Sequence, residues 1–230
     1  MTKLDPDRPL SDAILRLVLQ SGTDAVLIGG TQGITRERVA GILGRLQGAP
    51  VPVALEVSSP EAAMPGAALY LVPMVLNTRQ ADWVVGAQAK AMAEMLATFG
   101  NLIPWHLLLP EPYVILNGES AAAQMTGALT DLSAAEVAAY GALCCRLLRL
   151  PLLYLEYSGR LGEPAVVAAV REAIGPDSHL VYGGGISTAS EATAFAALAD
   201  TVVVGNLVYA CPERLKETVD AVRGTTRGRG

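Results

Sequence analysis

Short apolar runs alternate with amphipathic stretches along most of the chain, and Gly, Pro, Asn and Asp mark the boundaries. Runs of this kind predict strands covered on both faces, and the stretches between them predict helices. Residues 1–4 form the end of a first strand, stopped by Pro6; Ser11 then caps a helix through Gln20, with Ile14, Leu15, Val18 and Leu19 on one face. Residues 25–28 give a second strand, followed by the Gly29–Gly30–Thr31–Gln32–Gly33 turn and a helix starting near Thr35. Third and fourth strands fall at residues 51–56 and 69–75, and a long helix lies within residues 77–99. A fifth strand at 113–116 leads through a loop ending near Asp131 to Ser133-Ala134-Ala135-Glu136, the spacing of a capping box, for a helix reaching Leu148. The sixth strand spans 154–156, a helix follows at 164–174, the seventh and eighth strands lie at 179–182 and 201–204, and a last helix covers about 212–223.

Eight strands alternating with helices predict an α/β fold of TIM (β/α)8 type, a single domain over residues 1–223 with 224–230 as a disordered tail. One helix is missing from the pattern. The segment 58–66, between the third and fourth strands, holds Pro60 and Pro65 and has little helical room. The outer wall is therefore expected to carry an apolar groove there, suited to a lipid tail unless neighbouring helices or a partner subunit close it. Residues 101–110 form an unusually apolar loop, for which a subunit contact, a transient membrane-surface contact and folding over the barrel all remain open.

Composition narrows the functional classes. The chain is 51% hydrophobic with a mean hydropathy of +0.37, yet no apolar run approaches the roughly 18 residues of a membrane span, so a cytoplasmic protein is expected. A net charge of -5 and only 5% aromatic residues argue against nucleic acid and for small-molecule partners. Cys144, Cys145 and Cys211 lack metal-ligand spacing, and with only His106 and His179 present a histidine metal site is not expected.

Candidate chemistry gathers at the strand ends. Glu156 closes the sixth strand, where the carboxyl ends of barrel strands form the ligand rim. Gly183-Gly184-Gly185 and Gly205-Asn206 occupy the loops after the seventh and eighth strands, the usual phosphate site of such barrels, and glycines there let backbone N–H groups approach an anion.

The motifs Lys3-Leu4-Asp5-Pro6-Asp7, Ser21-Gly22-Thr23-Asp24-Ala25, Ile28-Gly29-Gly30-Thr31, Val75-Leu76-Asn77, Tyr154-Leu155-Glu156-Tyr157-Ser158-Gly159, Tyr182 to Ile186 and Val203-Val204-Gly205-Asn206 occur in this order. Over nearly its whole length the chain resembles the geranylgeranylglyceryl and heptaprenylglyceryl phosphate synthase family. The resemblance implies a Mg2+-dependent prenyltransferase on a TIM barrel lacking its third helix, joining sn-glycerol 1-phosphate to a long polyprenyl diphosphate through an ether bond. It further implies Lys3 as a ligand of glycerol phosphate, Asp5 and Thr31 as magnesium ligands, and Tyr154, Leu155, Glu156, Tyr157, Ser158 and Gly159 as the acceptor-binding segment. Gly184 or Gly185, with Gly205 and Asn206, would hold the phosphate, and Glu156 would take the acceptor's hydroxyl proton. Shorter-chain archaeal relatives carry a bulky Trp where this chain has Ala91, which implies a heptaprenyl-type donor. Relatives are often homodimers. The chain departs from its relatives in a short segment before Lys3, in Gly118 where a proline is common, and in the apolar 105–110 loop. The rival readings are prenyl transfer to 3-phosphoglycerate, a phosphate-binding barrel isomerase or lyase, and a non-catalytic lipid-binding barrel. Against 3-phosphoglycerate, no cation beyond Lys3 is evident near the rim.

Overall fold

The computed structural model describes residues 1–225. Eight parallel strands run in sequence order as β1 (Thr2–Leu4), β2 (Val26–Ile28), β3 (Val53–Glu56), β4 (Leu69–Val75), β5 (Leu108–Ile115), β6 (Leu152–Glu156), β7 (His179–Gly183) and β8 (Thr201–Val203). A parallel bridge between Thr2 and Val204 closes the sheet, with Lys3 N–H donating to the Val204 carbonyl at 2.8 Å and Val204 N–H to that of Met1 at 3.0 Å. The result is the expected TIM barrel.

Local chemistry explains most helix starts. Ser11, Thr35, Ser120, Ser133 and Thr188 each accept a bond from the first turn of α1 (Asp12–Gln20), α2 (Arg36–Arg45), α4 (Ala121–Thr126), α5 (Ala134–Ala142) and α7 (Ala189–Ala196) respectively. The capping box at Ser133 and Glu136 is formed. Pro164 opens α6 (Pro164–Ile174), where its missing N–H costs nothing. Between β3 and β4 only one short 3-10 turn, Pro60–Ala62, forms, so the third helix is absent as expected. After β4 the chain is π-wound over Asp82–Gly86 before α3 (Ala87–Phe99), so the helix starts several residues after Asn77. Asn77 is instead buried, donating to the Ile115 and Leu129 carbonyls and accepting from Ile115 N–H, which ties the loop after β4 to the end of β5.

Several elements differ from expectation. β5 begins at Leu108, not Tyr113, so the end of the apolar loop is strand; residues 108–112 pair with β4 alone, and an edge unpaired on one side tolerates Pro110 and Pro112. Helices α4 and α8 (Asn206–Ala210) were not foreseen, being too short to show an apolar period. Gly224 ends α9 (Leu215–Gly224) rather than starting a tail, and the rest of the expected tail, 226–230, lies outside the described residues.

Candidate active site

Glycines at the strand ends make room for the site. A Cβ on Gly29, after β2, would stand 2.7 Å from the Glu56 Cβ, and one on Gly183, at the end of β7, would collide with the Tyr154 hydroxyl. One on Gly205 would reach the Lys3 Cβ at 3.7 Å. That last distance is an ordinary contact, so it is the side chains from β3 and β6 that occupy space larger residues on their neighbours would fill. Above them opens a cavity of about 510 Å³, to which Lys3, Asp5, Thr31, Tyr154, Glu156 and Gly205 all contribute.

Its floor is charged. Lys3 Nζ lies 2.7 Å from Glu56 Oε2, which also accepts from the Tyr113 hydroxyl at 3.1 Å, and the Tyr113 ring stacks on Tyr154 with centroids 4.5 Å apart. Burial alone would lower the Lys3 proton affinity, but the charges of Glu56 and Glu156 outweigh it and hold the ammonium above its ordinary value. Glu111, on β5, is buried with Oε2 lacking any partner among the described residues. Burial, then the Glu56 charge, raises its proton affinity well above that of an ordinary carboxyl. Glu156 is raised too, by burial first, while Lys3 and the Ser158 bonds oppose the shift; Ser158 N–H donates to its Oε1 at 2.6 Å. A carboxylate so placed is a stronger base than in water.

The rim is built by the β1 loop and the glycine loops. Tyr209, on α8, pins the Asp5 backbone, accepting from its N–H at 2.8 Å and donating to its carbonyl at 3.3 Å. Asp5 Oδ1 accepts from Asp7 N–H at 2.9 Å, and Gly30 leaves it open, since a Cβ there would come within 2.6 Å. Burial raises the Asp5 proton affinity, with the Asp7 N–H and Lys3 opposing. Asp7 is bound to Arg38. Arg8 stacks over the Tyr209 ring at 3.9 Å and donates to Asn206 Oδ1 at 3.1 Å. It also lines the cavity, which corrects the expectation that Lys3 is the sole cation near the rim.

Of the sequence-derived site residues, Lys3, Asp5, Thr31, Tyr154, Glu156, Ser158, Gly159, Gly184, Gly185, Gly205 and Asn206 converge on this cavity. Leu155 and Tyr157 belong instead to the core between sheet and helices, because alternate strand residues face opposite ways. Tyr157 is a spacer: a Cβ on Gly184 or Gly162 would strike it, so it sets the distance between the loops after β6 and β7. Gly185 has φ +57°, a left-handed conformation that glycine adopts without strain. Ala91 sits half-buried on α3, outside the rim cavity. Glu56, Glu111, Tyr113, Arg8 and Tyr209 escaped sequence reasoning. Glu56 alone carried a visible signal, as a carboxylate ending a strand in the manner of Glu156.

Magnesium needs hard oxygens and is commonly held by one or two protein carboxylates together with substrate phosphates. Among the described residues no cluster of three or more His, Cys, Asp or Glu could hold a metal by itself. Asp5, half-buried and lining the cavity as Thr31 does, fits that arrangement.

Comparison with known proteins agrees along the whole barrel. The chain is 45% identical over 221 residues to the heptaprenylglyceryl phosphate synthase of Geobacillus kaustophilus, covering 96% of this chain and 90% of that one. It is 41% identical over 223 residues to that of Brevibacillus brevis, covering 97% and 94%. In fold it is similar to a crystal structure of (S)-3-O-geranylgeranylglyceryl phosphate synthase from Thermoplasma acidophilum in complex with sn-glycerol-1-phosphate, with a TM-score of 0.81, 22% identity and coverage of 96% and 92%. A family profile matches residues 1–223, and the chain belongs to the PcrB family.

Proposed function

We propose that this protein is a prenyltransferase that joins sn-glycerol 1-phosphate to a long-chain polyprenyl diphosphate, of heptaprenyl type, through an ether bond. The observation that carries the reading is Glu156, a buried carboxylate of raised basicity facing one cavity with the glycine loops and Asp5. Its near relatives are named for this activity. The acceptor phosphate would rest on the backbone of Gly184, Gly185 and Gly205 with Asn206 and Lys3, placing the glycerol hydroxyl at Glu156. As the allylic carbon–oxygen bond breaks, diphosphate leaves with the electron pair, the acceptor oxygen forms the ether bond, and Glu156 takes its proton. Mg2+, held by Asp5 and Thr31, would supply charge neutralisation for the diphosphate. The tail would run along the open wall beside β4, with Ala91 leaving room at a depth that a Trp would close.

Arg8 gives a second acceptor, 3-phosphoglycerate, a cation to meet its carboxylate, so both acceptors belong in the test. Incubation with labelled sn-glycerol 1-phosphate or 3-phosphoglycerate and a series of polyprenyl diphosphates, with and without Mg2+, should give a prenyl ether only from glycerol 1-phosphate and only with metal. Product from 3-phosphoglycerate alone would move the assignment to the second acceptor, and product from neither would remove the transferase reading.

The working protein is further proposed to be a cytoplasmic homodimer that touches membrane surfaces to collect its lipid donor. Support comes from Leu96, Phe99, Leu102 and Trp105, all exposed around the end of α3.

A further inference from the structure

Two cations line the rim cavity among the described residues, Lys3 and Arg8, and they are in different states. The Lys3 ammonium is held by Glu56 at the floor. Arg8 takes part in none of the ion pairs found among the described residues. The groups it touches are neutral, the face of the Tyr209 ring at 3.9 Å and the Asn206 side-chain oxygen at 3.1 Å, while the Asp5 carboxylate feels its charge only through space. A guanidinium carries five N–H donors in a rigid plane, and one contact to an amide leaves most of them unspent. The plane is also set in advance, because Tyr209 is locked to the Asp5 backbone by two hydrogen bonds. Exposed arginines ordinarily find a nearby carboxylate or stay in solvent. Here Asp7, one residue away, is bound by Arg38 instead.

We infer that Arg8 is a phosphate-binding residue of the rim, held ready by Tyr209 and Asn206 for a phosphate oxygen of one of the two substrates. This rests on the transferase reading and extends it, since it assigns charge to the mouth of the cavity, between Asp5 and the Gly205–Asn206 loop. Lys3 alone, with its charge already balanced by Glu56, cannot neutralise a phosphate monoester and a diphosphate together. A planar fork also suits phosphate oxygens better than a point charge.

The test is calorimetric titration of the full chain, in Mg2+, with sn-glycerol 1-phosphate and with inorganic diphosphate in separate experiments. Arg8→Gln should weaken at least one of them by roughly tenfold or more, the scale of a lost charge-assisted bond, and Arg8→Lys should recover only part of it. Weakening confined to glycerol 1-phosphate assigns Arg8 to the acceptor, and weakening confined to diphosphate assigns it to the leaving group. Thermal unfolding of Arg8→Gln should match the wild type, separating lost binding from lost fold. Affinities within twofold of wild type for both anions would overturn the inference while leaving the transferase reading intact. A wild-type protein that bound neither anion would overturn both.

Discussion

The walls behind β6 and β4 are built from the same strand–helix grammar and end in opposite states. All five residues of β6 are buried, and behind it α5 meets α6 so closely that a Cβ on Gly141 would stand 2.8 Å from Ile174 Cγ2. α6 buries Val166, Val167, Val170 and Ile174, each worth about 1.5–3 kcal/mol relative to exposure. Of the seven residues of β4, only Leu71 and Val75 are buried, and the thirteen-residue α3 buries none. The closed wall buries Tyr154 and Glu156 at the cavity; on the open wall the residues of α3 are half-buried or exposed. In the proposed reaction the first fixes the phosphates and the base, and the second accommodates a long tail.

Breaking the closed side should have the largest effect. Glu156→Gln is expected to keep the fold and glycerol 1-phosphate binding while lowering kcat by roughly a hundredfold or more, the scale of a lost general base. In the wild type, kcat should rise with pH through a value above the ordinary carboxyl's 4.5, because Glu156 acts only when deprotonated and burial raises its proton affinity. Stopped-flow or steady-state rates across pH check both, and an unchanged rate removes Glu156 from the mechanism.

A smaller effect is expected at the rim. Asp5→Asn should raise the Mg2+ concentration for half-maximal rate by about tenfold or more, since a charged hard ligand is lost. Metal titration of the rate reads this directly; a rate loss that no excess of Mg2+ changes would assign Asp5 another role.

The smallest concerns the floor, and it is a matter of stability. Glu111 holds its proton more tightly in the folded chain than in the unfolded one, whose carboxyl has the ordinary value of 4.5. Its contribution is therefore intact below that value and is lost as pH rises toward the folded-state value. Gln has no proton to lose, so Glu111→Gln should gain in Tm over the wild type from about pH 5 to about pH 8, by about 2–4 °C for each kcal/mol. Melting curves at the two pH values decide it: a gap that narrows with pH would mean that Glu111 is ionised and paired.

How far the sequence foretold these regions follows from what each depends on. Helix caps are local, so Ser11 and Ser133 announced their helices, and the two prolines of 58–66 announced the gap. The reading failed at β5, where the end of the apolar 101–110 loop is strand, with Pro110 and Pro112 where it is paired on one side. The floor was hidden for a different reason. Lys3 and Glu56 are 53 positions apart, and Asp5 and Tyr209 are 204 apart, so only closure of the barrel brings them together. No periodicity encodes a contact across a closed sheet.

The division of labour between the two walls is tested most directly by Ala91→Trp, assayed with C35 and C20 polyprenyl diphosphates at saturating sn-glycerol 1-phosphate. If the tail follows the open wall past α3, the added ring should cut kcat/KM for the C35 donor far more than for the C20 donor, because bulk excludes only a tail that reaches that depth. Equal loss on both donors, or a wild type that prefers C20, would contradict the account.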